Sequence, residues 1–162
     1  MPLKIAAITL AALILVPAVA RATDFVTIPL EATINAPAGT AWKKIDGFCR
    51  IGDWFKTTCE ITSGADGQVG AVRRIAGRVD ELLVASTASS YTYSQPKSPI
   101  DYHGTIEIRP IDEDHCRLLA TIVYDADALP RHEAKDKADD REGRVRMFTA
   151  LVAAAKAMAE AR

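Results

Sequence analysis

Charge of one sign is the first thing this sequence lacks: 20 Lys and Arg stand against 21 Asp and Glu in 162 residues. Without a basic excess there is no electrostatic footprint for a nucleic-acid backbone, and a pI near 6.3 agrees. Glycine and proline are scarce, at nine and eight, which excludes collagen-like and low-complexity chains. No Cys-x-x-C or H-E-x-x-H occurs, and the three histidines lie far apart, so no metal site is expected. No G-x-S-x-G and no phosphate-cradling glycine pattern is present; Gly64, Gly67 and Gly70 follow no strand-to-helix order and read as turn glycines. Hence no nucleotide, flavin or other cofactor is expected.

Long hydrophobic runs are also missing, with one instructive exception. Lys4 is followed by a largely apolar stretch, Ile5 to Ala20, which contains Pro17 and is 16 residues long. A spanning helix needs about 20. The small residues of Ala20-Arg21-Ala22 form an A-x-A cleavage site, so residues 1–22 read as a signal peptide cut after Ala22. The mature chain, residues 23–162, is then a single domain in the periplasm or outside the cell; an uncleaved anchor would hold the same domain at the membrane. A chain of this size buries about two-thirds of its unfolded surface and does not need disulfides to form a core.

Three cysteines, Cys49, Cys59 and Cys116, leave one thiol over in an oxidising compartment. Spacing alone does not choose among the three pairs. Cys49 with Cys59 is a disulfide candidate that closes a short loop, worth roughly 2 to 3 kcal/mol on chain entropy. Cys116 sits in an apolar strand pattern and reads as a small buried hydrophobe.

Alternation predicts a first strand over Phe25 to Asn35, with Pro29 at a bulge or an edge. Ala36-Pro37-Ala38 then opens helical spacing through Trp42 and Ile45, and Gly47 and Gly52 divide it into two short helices. Six further strands are expected over Thr58–Thr62, Val69–Ala76, Arg78–Ser86, Ser89–Gln95, Asp101–Arg109 and His115–Tyr124, joined by short polar turns. From about Pro130 one long helix runs to the C-terminus, with Val145, Phe148, Val152, Ala155 and Ala159 on one face. Its charged first half reads as a solvated lead-in with pairs such as Glu142 and Arg146. The order is α+β: a curved antiparallel sheet of about seven strands around a long C-terminal helix, with two short helices after strand one. Seven alanines between Ala150 and Ala161 either leave an apolar cavity under that helix or simply permit close approach.

Ile34-Asn35-Ala36-Pro37 with Trp42, then Asp53-Trp54, Val69-Gly70-Ala71-Val72-Arg73, Glu81-Leu82 and Tyr91, resembles the START-like (SRPBCC) superfamily in its polyketide cyclase/dehydrase and lipid-transport branch. The resemblance spans the mature chain. It implies a helix-grip fold with a hydrophobic cavity between sheet and C-terminal helix, and it places Trp54, Arg73, Glu81, Tyr91, Tyr93 and Tyr102 around that cavity. Tyr91 and Tyr93 share one strand face, Tyr102 shares one with Gly104 and Ile106, and Gly104 leaves room for a ligand or for the helix. Arg73 and Glu81 could pair across neighbouring strands, inside the cavity or on an exposed face. Trp54 fits either packing or the pocket rim.

The expected function is a periplasmic carrier of a hydrophobic or amphipathic, lipid-like small molecule. Two alternatives stand beside it. One is a cyclase or dehydratase in which a Tyr or Glu transfers a proton. The other is an interaction partner of a periplasmic dehydrogenase, since secreted proteins of this size resemble accessories of methanol-oxidising enzymes; those carry Trp-His-Pro where this chain has Trp54-Phe55-Lys56. A hydrophobic ligand, no nucleic acid, and a monomer or weak dimer complete the expectation.

Overall fold

The computed structural model describes residues 23–131 and 133–161. The expected signal peptide and His132 lie outside the described residues. Strands β1 (Phe25–Ile34), β2 (Cys59–Ser63), β3 (Val72–Ile75), β4 (Val79–Ser86), β5 (Ser90–Ser94), β6 (His103–Pro110) and β7 (Cys116–Asp125) form one antiparallel sheet in the order β1-β7-β6-β5-β4-β3-β2. Helices α1 (Ala38–Ile45) and α2 (Ile51–Trp54) follow β1, and α3 (Ala134–Glu160) ends the chain. This is the α+β, helix-grip arrangement anticipated from the sequence.

Each hairpin obeys local chemistry. Ala76 and Gly77 both have positive φ, and Arg78 N–H bonds to the Ile75 carbonyl, so β3 and β4 are joined by a tight three-residue connection, Ala76 to Arg78, between the paired residues Ile75 and Val79. Ala76 therefore belongs to the turn, and Val69 lies outside the ladder because Gly70, at φ 94°, turns the chain before Val72. The expected strand Val69–Ala76 is shortened accordingly at both ends. Pro29 stays in unbroken register opposite Thr121 on edge strand β1, where a missing N–H is tolerated, so the edge and not the bulge accounts for it. The register shift between Leu83 and Ala85 falls instead on β4 and adds local bend to the sheet.

The concave face carries the core. Alternate residues of β7, from Cys116 through Leu118, Ala120 and Ile122 to Tyr124, are buried, and Ile106 and Ile108 of β6 continue the layer. Cys116 is a free thiol inside this layer. The two halves of α3 meet the sheet differently. Towards its end, Ala155 and Ala159 are fully packed, Lys156 reaches the Thr33 carbonyl, and Asn35 N–H bonds to the Glu160 carboxylate. Here the alanines serve close approach. Under the middle of the helix, at Arg144, Met147, Phe148 and Leu151, an opening remains. The cavity anticipated from alanine content therefore exists beside larger side chains and not beside the alanines. The exposed Glu142–Arg146 pair is present at 3.5 Å.

Candidate functional site

The opening is a cavity of about 280 Å³ between α3, the α2 region, the inner faces of β3 to β5 and Tyr102 just before β6. Its walls are apolar: Ile51 and Phe55 from the α2 region, Ile75 and Val79 from the sheet, and Met147, Phe148 and Leu151 from α3. Met147, 48% exposed, stands where the cavity meets solvent. Polar atoms enter it from Glu81, Gln95, Tyr93, Tyr102 and Arg144.

Register explains the deepest of these. Arg73 and Glu81 are cross-strand partners on β3 and β4, and the period of two turns both inward. Arg73 Nε donates to Glu81 Oε2 at 2.7 Å, Nη2 lies 2.5 Å from the same oxygen, and Nη1 donates to the Phe48 carbonyl. The guanidinium lies 4.0 Å from the Phe48 ring centroid and 5.0 Å from that of Tyr93, within cation–π range. Gln95 Nε2 donates to the other carboxylate oxygen, Oε1, at 3.0 Å. Both residues of the ion pair are buried. The inward alternative holds, and Glu81 lines the cavity while Arg73 stands behind it.

Tyr93 and Tyr102 place their hydroxyls 3.4 Å apart. Burial, chiefly, pushes both well above the ordinary phenol range, so both remain protonated at neutral pH. Gly104 sits directly opposite Tyr93, and a Cβ there would overlap the end of the tyrosine ring. The space at Gly104 is thus filled by Tyr93 and is neither ligand room nor a helix-approach site.

Two of the expected residues fall elsewhere. Trp54 is buried and packs against Phe55, and it is Phe55 that lines the cavity. A four-residue helix turns successive side chains in different directions, which alternation cannot foresee. Tyr91 packs between Trp42, tilted against it, and Phe48, edge-on to it, and borders a separate recess of about 160 Å³. Gln95 and Arg144 were missed. Gln95 lies two residues beyond Tyr93, on the same face, at the end of the expected strand and the start of its turn. Arg144 falls in the charged lead-in, yet it shares helical spacing with Phe148 and Leu151. Its guanidinium forks onto Asp140 at 2.6 and 3.1 Å and lies over the Tyr124 ring.

Cys49 and Cys59 form a disulfide that ties the loop before α2 to β2, next to the carbonyl held by Arg73. Among the described residues no three His, Cys, Asp or Glu side chains are grouped to hold a metal ion. His103 bonds to Asp101 and His115 to Asp112. Among the described residues no helix is long and apolar enough to cross a membrane.

The family model described as polyketide cyclase / dehydrase and lipid transport matches residues 26–160. Among solved structures, a Nitrosospira multiformis protein aligns with TM-score 0.66 at 20% identity, covering 81% of this chain and 94% of its own. The ZhuI aromatase/cyclase from Streptomyces aligns with TM-score 0.66 at 20% identity, covering 84% and 94%. The Bacillus cereus protein XoxI aligns with TM-score 0.60 at 17% identity, covering 83% and 92%. Comparison with curated protein sequences finds no match. At these identities the structural likeness concerns the fold.

Proposed function

The chain belongs to the polyketide cyclase / dehydrase and lipid transport family, and from that premise we propose that it binds a hydrophobic or amphipathic small molecule in the cavity under α3, as a carrier outside the cytoplasm. One observation carries the reading: an apolar-walled opening has a single carboxylate, Glu81, fixed at its inner end by a buried arginine. Such a site combines area for affinity with a polar group for orientation. Burying about 200 Å² of apolar ligand surface yields roughly 5 kcal/mol before entropic costs. The location rests on the leader-like sequence Lys4 to Ala22.

The state of the tyrosines argues against either of them acting as a base. Their hydroxyls, held protonated by burial, suit hydrogen-bond donation and not the role of a base at neutral pH. The test is native mass spectrometry of protein exported to and purified from the periplasm, followed by solvent extraction of whatever is bound. A stoichiometric hydrophobic adduct on a chain cleaved after Ala22 is the expected result. An empty protein that also fails to take up hydrophobic probes would sink the carrier reading.

A further inference from the structure

The unused valences of the polar groups in this cavity restrict what can occupy it; the inference rests on the binding function proposed above. A carboxylate offers about four lone-pair positions. Arg73 takes two at Glu81 Oε2 through Nε and Nη2, and Gln95 takes one at Oε1. One acceptor position on Oε1 remains, on a residue that lines the cavity. In the tyrosine pair, one hydroxyl donates to the other, which leaves one phenolic proton without an acceptor in the pair.

Each positive charge in or behind this lining already has a carboxylate partner. Arg73 stands behind the lining and is committed to Glu81 and the Phe48 carbonyl, while Arg144 at the wall is forked onto Asp140. An anionic headgroup would meet the Glu81 carboxylate with only the Asp140-paired Arg144 to offset it, in a pocket with apolar walls. A hydroxyl does better, because it both gives and accepts a hydrogen bond. Volume restricts the ligand further: about 280 Å³ lies below the roughly 300–1,000 Å³ of pockets for drug-sized molecules, which suits one or two rings or a short chain.

We propose that the cavity selects a compact, uncharged, hydroxyl-bearing ligand whose O–H donates to Glu81 Oε1 and whose oxygen accepts from the Tyr93–Tyr102 pair, and that it rejects fatty acids and other carboxylates. The test is calorimetric titration of the purified protein at neutral pH with four probes of one skeleton: naphthylmethanol, naphthalene, naphthoate and naphthylmethylammonium. Naphthylmethanol is expected to bind about fivefold tighter than naphthalene, as one or two net hydrogen bonds allow. It should exceed naphthoate by about 100-fold, the scale of a like-charge contact away from water.

Glu81→Gln should remove most of the discrimination against naphthoate. Because that variant leaves Arg73 buried without its counter-charge, Tyr102→Phe provides a second reading: it should erase most of the preference for naphthylmethanol over naphthalene and leave naphthalene affinity within about twofold. Equal affinity for alcohol and carboxylate would overturn the selectivity and leave the binding function standing. Tighter binding of the ammonium than of the alcohol would overturn the assignment to an uncharged ligand. Failure of all four probes, naphthalene included, would overturn the selectivity and the binding function together.

Discussion

Consecutive rungs of the β3–β4 ladder carry the same chemistry in opposite surroundings. Arg73 faces Glu81 and Arg74 faces Asp80, and the pleat sends the first pair into the core and the second to the surface. The inner side chains are 1% and 5% exposed, the outer ones 37% and 12%. Outside, Arg74 donates to both Asp80 oxygens at 2.7 and 3.3 Å, Lys97 adds a third donor at 2.6 Å, and water screens what is left. Inside, Arg73 is enclosed by Phe48, Tyr93 and a backbone carbonyl. The surface pair can lose a partner to water. The buried pair cannot, and only its carboxylate is presented to a cavity.

The largest expected effect tests that asymmetry. Arg73→Met strands the Glu81 carboxylate in the interior and should cost about 3–5 kcal/mol in urea unfolding, whereas Arg74→Met should cost only a small fraction of that. The double replacement Arg73→Met with Glu81→Met should recover most of the loss, because no buried charge remains. Equal costs for the two single variants would break the comparison. Next in size is the Cys49–Cys59 disulfide beside the inner pair. Replacing both cysteines with serine should lower stability by roughly 2 to 3 kcal/mol, and adding reductant to the natural protein should reproduce the loss, leaving the variant unaffected.

The geometry of these pairs was more legible in the sequence than their surroundings. Adjacent strands joined by a short turn allow Arg73 and Glu81 to pair, but a period of two names a face without saying which face is buried. The resemblance supplied that sense, and register then determined the contact. Tyr91 and Tyr93 share a face equally well, yet one borders the recess near Trp42 and the other the main cavity, because the neighbouring helices differ from one rung to the next. Trp54 and Phe55 sit at the end of a helix too short for periodicity to orient them. The alanines of α3 were ambiguous for a physical reason: a small side chain produces a void or a close contact according to whether the partner surface can follow it. β1 does follow near Ala155 and Ala159, and the void lies instead under Arg144 to Leu151.

That distinction gives the third experiment, in which one kind of change is made in both halves of α3. Ala159→Leu adds volume to a fully buried site in the packed half and should cost about 1–3 kcal/mol. Leu151→Phe adds volume toward the cavity and should cost less than about 1 kcal/mol while blocking ligand uptake. A loss of ligand uptake in both variants, or a large stability loss in Leu151→Phe, would mean that the two halves are not packed differently.

The smallest effect is expected from the outer pair and reads through pH. Hydrogen bonds from Arg74, then Lys97, hold the Asp80 carboxyl down at about 2, against an ordinary value of 3.8. A depressed folded-state pKa means that the unfolded chain takes up the proton first on acidification. The contribution of Asp80 is therefore complete above about pH 4, declines as pH falls through the interval between the two values, and is gone below about 2. Asp80→Asn should weaken the acid dependence of unfolding free energy in that interval and leave the dependence above pH 5 unchanged. Because the pair is accessible to solvent, salt should diminish the difference between natural protein and variant. An acid dependence that survives Asp80→Asn intact would show that another carboxylate governs this window and that the outer rung contributes little beyond its backbone hydrogen bonds.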